Sequence, residues 1–313
     1  MAEPAQDQLL VLAGDADDLV ARMAGRLPPD LPVTTCREAA AARGLASGAT
    51  LALANPALLA GCLDALPRLR WAQSTWAGVR PLVDHPRRDY TLTGVRGIFG
   101  QAMAEWTLGW LLALERGILQ RSRATRWDGV PDGSVAGKRL GILGTGAIGQ
   151  AVARASAALR IESRGLNRSG HAADGFAETF AFAEAERFAA GCDYLLALLP
   201  DTPASAGLVG GSLLGALPRG AIFLNGGRGS TVDTGAVVAA LGTGQLRAAV
   251  LDVFPEEPLA DDDPLWTVDN LFITSHTAAP SDPGAIVELF LANLARYRAV
   301  DPLADVVDFS RGY

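Results

Sequence analysis

Cysteine is scarce in this 313-residue chain: Cys36, Cys62 and Cys192 stand far apart, and no C-x-x-C spacing occurs. That pattern excludes a disulfide framework and a thiolate zinc site, and it leaves reduced thiols expected in the core. No other metal site is indicated. A basic run is missing too. Lys and Arg number 27 against 34 Asp and Glu, a formal charge of −7, so neither nucleic acid nor an anionic membrane surface is an expected partner. No apolar run approaches the ~18 residues that span a bilayer. The opening Met-Ala-Glu-Pro-Ala-Gln-Asp-Gln is acidic and polar, unlike a signal or transit peptide, so a cytoplasmic location is expected. Histidine is as rare as cysteine, with three in the chain.

What is present is apolar content, 49% against 19% charged residues, over a length that allows two domains with full cores. Residues 8–95 alternate short strand candidates (Leu9–Ala13, Val33–Cys36, Thr50–Ala54, Leu69–Ser74, Tyr90–Thr93) with helical segments at Ala16–Leu27, Arg37–Leu45, Ala57–Leu66 and Val79–Asp84. The spacing suits βα units and a parallel sheet. This series has no phosphate-binding glycine motif and is expected to serve a substrate. Residues 99–120 then read as one long helix, apolar on nearly all sides and therefore expected to be buried all round, between domains or subunits. Glu105 is its most interior charge, an acid that would need a partner. Arg121–Arg139, with Trp127, reads as an irregular connector or dimer arm.

A second βα series follows, with strand candidates at Arg139–Leu143, Glu162–Leu166, Tyr194–Leu199, Ala221–Asn225, Ala248–Val253 and Leu271–Thr274, and a last helix over Gly284–Val300. Six strands with intervening helices match a doubly wound dinucleotide-binding domain. Its first strand runs into Gly144-Thr145-Gly146-Ala147-Ile148-Gly149, followed at once by a helical segment. In that arrangement Gly144 allows a tight turn, Gly146 lets the backbone approach a pyrophosphate, and Gly149 lets helix and strand pack closely. The helix N-terminus supplies free N–H groups and a positive dipole end. Three later loops each follow a strand and each carry one ionisable residue: Arg228, Glu257 and His276. Loops at the carboxyl ends of parallel strands gather over one crevice, so the three are expected to converge at the nicotinamide end of the cofactor.

The sequence resembles the NAD(P)-dependent D-isomer-specific 2-hydroxyacid dehydrogenase family, which includes glyoxylate/hydroxypyruvate reductases. The likeness extends over nearly the whole chain. It is carried by Leu69–Val79, Ala104-Glu105, the glycine motif, Leu199-Pro200-Asp201-Thr202, Asn225–Gly229, Leu251–Leu259 with Pro264-Leu265-Trp266, and the His276 stretch. The nineteen-residue step from Glu257 to His276 fits the family's Glu–His pair. The resemblance implies an α/β protein of two Rossmann-like domains. A doubly wound dinucleotide-binding domain (99–283, with an interdomain helix at 99–120) would be inserted in a flavodoxin-like substrate domain (1–98 and 284–313). It also implies a homodimer.

The same resemblance implies reduction of a small 2-oxo acid. His276 would protonate the ketone oxygen as hydride arrives, and Glu257 would orient the imidazole and favour its charged form. Arg228 would bind the substrate carboxylate and carbonyl, and N–H groups near Ala77 and Gly78, beside Trp76, would grip the carboxylate. Asp252 would accept a hydrogen bond from the nicotinamide amide, with Leu199, Pro200, Asn225, Gly226, His276 and Ala278 also lining the cofactor. Ser275, where relatives often have Pro, is expected only to relax the loop slightly. Formate-oxidising relatives carry Gln where Glu257 stands, which argues against that chemistry. Phosphite-oxidising relatives share the Arg, Glu and His, and a nucleotide-sensing corepressor-like scaffold reuses the fold, so both remain alternatives.

Cofactor choice is read from the residues themselves. NAD enzymes place an acid about 20 residues past the glycine motif, on the ribose 2′-hydroxyl. Here Asn167 stands in that place, with Arg168 and Ser169 after it and His171 close by. Without the acid a 2′-phosphate is not repelled, and Arg168 with Ser169 can hold it. NADP(H) is therefore expected over NAD(H). Trp76, Ile98, Phe99 and Met103 are expected to offer an apolar wall to a small or hydrophobic 2-oxo acid. Arg96 is a candidate for a second acidic group on the substrate.

Overall fold

In the computed structural model of the chain, the described residues are 6–127, 129–310 and 312. The first five residues of the polar opening segment and Asp128 of the connector lie outside them. The chain divides into two compact units, Met1–Ile98 with Ser281–Tyr313, and Phe99–Pro280. Among the described residues, no helix is long and apolar enough to cross a membrane.

The first unit holds five parallel strands, β1 (Leu9–Leu12), β2 (Val33–Cys36), β3 (Leu51–Ala54), β4 (Trp71–Ser74) and β5 (Thr91–Thr93), in the order β2-β1-β3-β4-β5. This is the flavodoxin-like order. Helices α1 (Ala16–Met23), α2 (Ala39–Leu45), α3 (Pro56–Ala60) and α4 (Arg80–Asp84) make the connections. The sequence Leu9-Leu-Val-Leu12 is buried throughout, as expected of a strand covered on both faces. The C-terminal helix Pro283–Ala299 belongs to this unit. Asp282 caps it by accepting the Gly284 N–H at 2.9 Å, with Pro283 in the first turn. Phe290 and Tyr297 of that helix stack on Trp71 of β4 at 5.2 and 5.7 Å between ring centroids.

The second unit is a seven-stranded parallel sheet. Its strands are β6 (Arg139–Leu143), β7 (Glu162–Asn167), β8 (Glu178–Ala181), β9 (Tyr194–Ala197), β10 (Ala221–Asn225), β11 (Leu246–Leu251) and β12 (Leu271–Ile273), ordered β12-β11-β10-β9-β6-β7-β8. The direction of strand addition reverses between β6 and β9. Counted from β6 this is the dinucleotide-binding order, extended by one strand. The register aligns Leu166, Leu143, Ala197, Asn225, Leu251 and Ile273 in one row at the carboxyl edge. Helices α5 (Gly100–Glu115), α6 (Ile118–Arg121), α7 (Ala147–Ala157), α8 (Ala185–Ala189), α9 (Gly211–Ala216) and α10 (Thr234–Gly242) complete the unit, and two apolar clusters fill it.

The sequence reading misses β8. Its four residues, Glu-Thr-Phe-Ala, include one fully buried side chain, Phe180, and the strand lies at the sheet edge. No apolar run announces it. The expected 99–120 helix is in fact two helices, broken where Gly117 takes φ +57°. Nor is it buried all round within the chain. Met103, Ala104, Thr107, Leu111 and Leu114 are covered, whereas Gln101, Glu105 and Gly109 are exposed. Glu105 is thus no interior acid; Gln101 Nε2 donates to it at 2.7 Å on the surface. The buried acid of α5 is Glu115, which accepts from Tyr194 Oη at 2.9 Å and from Arg247. Burial, and then Glu115, push the Tyr194 hydroxyl well above its usual pKa. Phe99 and Met103 are buried, the latter in the apolar core of this unit, so they offer no open wall to a substrate. Cys36, Cys62 and Cys192 are free and buried.

Candidate active site

At the carboxyl edge of the second sheet, the loops after β10, β11 and β12 are folded against one another. Asn225, the buried last residue of β10, builds the turn that presents Arg228. Its Oδ1 accepts the Gly227 N–H at 3.1 Å and its Nδ2 donates to the Arg228 carbonyl at 3.2 Å. Thr231 Oγ1 donates to the same carbonyl at 2.7 Å. Gly229 then lies directly on the next loop: a Cβ here would sit 1.9 Å from the Phe254 carbonyl carbon. Only glycine permits that approach, which brings the Arg228 turn against the segment carrying Glu257.

Glu257 joins that segment to His276. Its Oε2 lies 2.7 Å from His276 Nδ1, and its Oε1 accepts the Phe254 N–H at 2.9 Å. Burial lowers the pKa of the Arg228 guanidinium from its usual range, while the carboxylates of Glu257 and Asp201 act to raise it. The three residues are therefore electrostatically linked through Glu257. His276 is half-exposed, and its Nε2 has no partner among the described residues. A carboxylate-oriented imidazole and a half-buried guanidinium, both electrostatically tied to Glu257, can transfer a proton to, and hold, an oxygen-rich anion.

Asp252, buried after β11, is turned toward the His276 loop. Its Oδ1 accepts the N–H groups of Thr277 and Ala278 at 2.8 and 3.1 Å and the Thr274 hydroxyl at 2.5 Å. Its Oδ2 accepts the Ala278 N–H at 3.1 Å, and its carbonyl accepts the His276 N–H at 2.6 Å. Ser275 and His276 both adopt left-handed backbone, φ +51° and +59°.

The glycine loop fits a dinucleotide. Gly144 has φ +107°, and a Cβ on Gly149 would lie 2.1 Å from the Gly144 carbonyl oxygen, so neither position takes a side chain. A Cβ on Gly146 would meet nothing within 4 Å, which leaves open space over the first turn of α7. No acid stands in that turn, and its first N–H groups lack intrahelical acceptors. At the end of β7, Asn167 is engaged on both sides. Its Nδ2 donates to Thr145 Oγ1 at 3.0 Å and to the His171 carbonyl at 2.8 Å, and its Oδ1 accepts from the N–H groups of Ser169 and Gly170 at 3.1 and 2.7 Å. Ser169 Oγ and His171 Nδ1 lie 2.7 Å apart. Arg168 is exposed, with no ion pair among the described residues.

The family model for the NAD-binding domain of the D-isomer specific 2-hydroxyacid dehydrogenases matches residues 108–278. The chain belongs to that family. It is 35% identical to an uncharacterized protein of Streptomyces coelicolor over 79% of this chain and 90% of the other. A crystal structure of a D-isomer specific 2-hydroxyacid dehydrogenase family protein from Aeromonas salmonicida matches with a TM-score of 0.91 at 36% identity, covering 97% of this chain and 100% of that one. Another match is an NADPH-dependent glyoxylate/hydroxypyruvate reductase from Sinorhizobium meliloti, in complex with NADP and sulfate. It has a TM-score of 0.86 and 28% identity, covering 98% of this chain and 100% of that one. This D-2-hydroxyacid dehydrogenase is thus an oxidoreductase acting on CH–OH donors, with a nicotinamide dinucleotide as cofactor.

Within the dehydrogenase, the expectation for Ser275 needs correction. Proline is fixed near φ −65° and cannot take the +51° found here, so the serine accompanies a different backbone path rather than a slight loosening. Asp252, expected to face the nicotinamide amide, directs most of its accepting capacity to the His276 loop. Asn167 is occupied by the turn it organises. Leu199 is buried and Pro200 exposed at the end of the β9 segment. In the first unit, Ser74 Oγ accepts the Trp76 N–H at 3.0 Å, and Trp76 is 54% exposed, with Ala77 and Gly78 following it. Arg96 faces Asp305 at 4.0 Å. The structural parts played by Gly229 and Thr231 are absent from the sequence reading, since each depends on a contact with another loop or turn.

Proposed function

We propose that this dehydrogenase reduces a small 2-oxo acid of the glyoxylate/hydroxypyruvate type to the D-2-hydroxy acid, using NADPH. The observation that carries the reading is the 2.7 Å pair between His276 and Glu257 at the edge where Arg228 is presented. When bound, the cofactor supplies a hydride. Gly144 to Gly149 and the first turn of α7 would hold its pyrophosphate, and Arg168 with Ser169 its 2′-phosphate. Asp252 keeps accepting capacity on Oδ2 for the carboxamide, and Leu199, Pro200, Asn225, Gly226 and Ala278 stand in the neighbouring loops.

The remaining chemistry belongs to the chain's side chains. Arg228 neutralises the substrate's carboxylate and polarises its carbonyl through a planar fork that suits two oxygens. His276 Nε2 delivers the proton to the carbonyl oxygen, and Glu257, 2.7 Å from Nδ1, holds the ring in the direction that delivers it. The family resemblance supports N–H groups near Ala77 and Gly78, beside Trp76, as a grip on the substrate carboxylate. The S. meliloti relative, an NADPH-dependent glyoxylate/hydroxypyruvate reductase, supports the substrate class and the cofactor.

The test is NADPH oxidation with glyoxylate, hydroxypyruvate, pyruvate, phenylpyruvate and 2-ketogluconate, and NADP reduction with phosphite, for the native chain and His276→Ala. Turnover of a small 2-oxo acid, reduced by two or more orders of magnitude in His276→Ala, is expected. Activity confined to phosphite, or none with cofactor still bound, sinks the reading. A homodimer and a cytoplasmic location are part of it; light scattering that gives the 32.5 kDa monomer mass alone contradicts the dimer.

A further inference from the structure

We infer that Thr274 is a positioning residue for His276, acting through Asp252 and held in turn by Trp106. The inference rests on the reading of His276 as proton donor, and it assigns work to two side chains that touch neither substrate nor cofactor in that reading.

Two consecutive non-glycine residues in left-handed conformation, Ser275 and His276, are costly, of order 1 kcal/mol or more each, and persist only when their surroundings over-determine them. What determines them here is one carboxylate. Asp252 collects the N–H groups of residues 277 and 278 on its side chain and that of residue 276 on its carbonyl. The loop is wrapped around Asp252, and the direction of the His276 side chain follows from where that carboxylate points.

The carboxylate orientation is set by Thr274. Its hydroxyl has one proton and gives it to Asp252 Oδ1 at 2.5 Å, while its oxygen accepts from Trp106 Nε1 at 3.3 Å. The indole has a single donor and no acceptor, so the sense of both bonds is fixed: Trp106 to Thr274 to Asp252. Thr274 is also tied by its main chain, its N–H to the Leu251 carbonyl at 3.2 Å and its carbonyl to the Thr277 hydroxyl. Removing the hydroxyl takes one donor from a buried carboxylate, leaves only the Thr277 and Ala278 N–H groups to orient it, and loosens the support of the left-handed pair. Glu257 can still reach the imidazole, but the ring no longer returns to one direction. In a reaction that depends on proton-donor geometry, such a misplacement lowers turnover much more than ligand affinity.

Three variants test this: Thr274→Val, nearly isosteric but without the hydroxyl; Thr274→Ser, which restores it; and Trp106→Phe, which removes only the indole donor. Each is assayed for kcat and KM with NADPH and glyoxylate, for NADPH affinity by fluorescence, and for thermal midpoint. With three histidines in the chain, 15N-labelled imidazole spectra resolve His276 by comparison with His276→Ala. The expected result is a kcat about tenfold lower in Thr274→Val, with KM and affinity for NADPH within about twofold. Thr274→Ser should recover to within about threefold, and Trp106→Phe should fall between. The His276 resonances should move in Thr274→Val and return in Thr274→Ser. Native kcat in Thr274→Val overturns the inference, as does a serine variant as impaired as the valine one. Parallel loss of NADPH affinity and thermal midpoint in Thr274→Val would mark a merely structural role. If the valine variant does not fold, unchanged kcat and unchanged imidazole signals in Trp106→Phe overturn it instead. A native chain inactive on glyoxylate and the other 2-oxo acids would refute the functional reading, and the imidazole spectra would then decide the positioning alone.

Discussion

Glu257 stands between His276 and the main chain: one carboxylate oxygen lies 2.7 Å from the imidazole Nδ1, and the other accepts the Phe254 N–H at 2.9 Å. The main-chain bond holds the carboxylate, and the carboxylate holds the Nδ1 edge of the ring. In Glu257→Gln the amide oxygen can still accept the Phe254 N–H, but the amide then presents N–H groups to His276 Nδ1, and the ring loses its carboxylate acceptor. Reductase kcat is expected to fall about 10- to 100-fold with NADPH affinity unchanged, as measured by steady-state kinetics beside fluorescence titration. A fall in affinity of the same size would show that Glu257 serves the cofactor instead.

Arg228 is presented by a turn whose carbonyl is pinned by Asn225 and Thr231, at 3.2 and 2.7 Å. A lysine in its place keeps the charge and loses the planar fork. Arg228→Lys is expected to lower kcat/KM for glyoxylate by about 100-fold, mostly through KM, while leaving the thermal midpoint within a few degrees. Native kcat/KM in this variant would remove Arg228 from the substrate.

The turn after β7 bears on cofactor choice. Arg168 is exposed and unpaired among the described residues, and Asn167 holds the turn to Thr145 of the glycine loop at 3.0 Å. Arg168→Ala should raise KM for NADPH about tenfold with little change for NADH, the size of one charge-assisted contact. Asn167→Asp should act more strongly, because the acid repels a 2′-phosphate and can no longer donate to the His171 carbonyl. Native kcat/KM with NADH at or above that with NADPH contradicts the proposed preference.

Much of this molecule is written locally in the sequence. β6 and β10 run over the residues their apolar patterns indicate, and Gly144, Gly146 and Gly149 meet the turn, the open space and the close packing expected of them. Such features need only a strand, a turn and a helix in succession. The unread features depend on partners distant in sequence. Glu178–Ala181 becomes a strand because β7 offers an edge, not because its residues alternate. Glu105 and Glu115 look alike in an apolar run, but Tyr194 and Arg247 stand beside only the second. The turn of Asp252 toward the His276 loop depends on residues 274 to 278, more than twenty positions away. Periodicity carries no trace of such pairings.

Alkaline stability offers a test that is independent of catalysis. Burial pushes the Cys62 thiol from its usual 9.0 up to about 11, the Cys192 thiol to about 12, and the Tyr90 hydroxyl from 10.0 to about 12. The folded state therefore keeps protons that the unfolded chain releases at lower pH. Where the unfolded state binds fewer protons, stability falls as pH rises. The contribution of these groups is fully present below about pH 9 and is lost progressively as pH climbs through the folded values. Urea unfolding should give a constant midpoint from pH 7 to about 8.5 and a decline beyond it, shallower in Cys192→Ala, which removes one of the retained protons. Thiol reagents at pH 8 should label the native chain slowly and all three cysteines at once in denaturant. Rapid labelling of the native chain, or a midpoint that stays level to pH 11, would mean that these thiols ionise in the folded state as freely as in water.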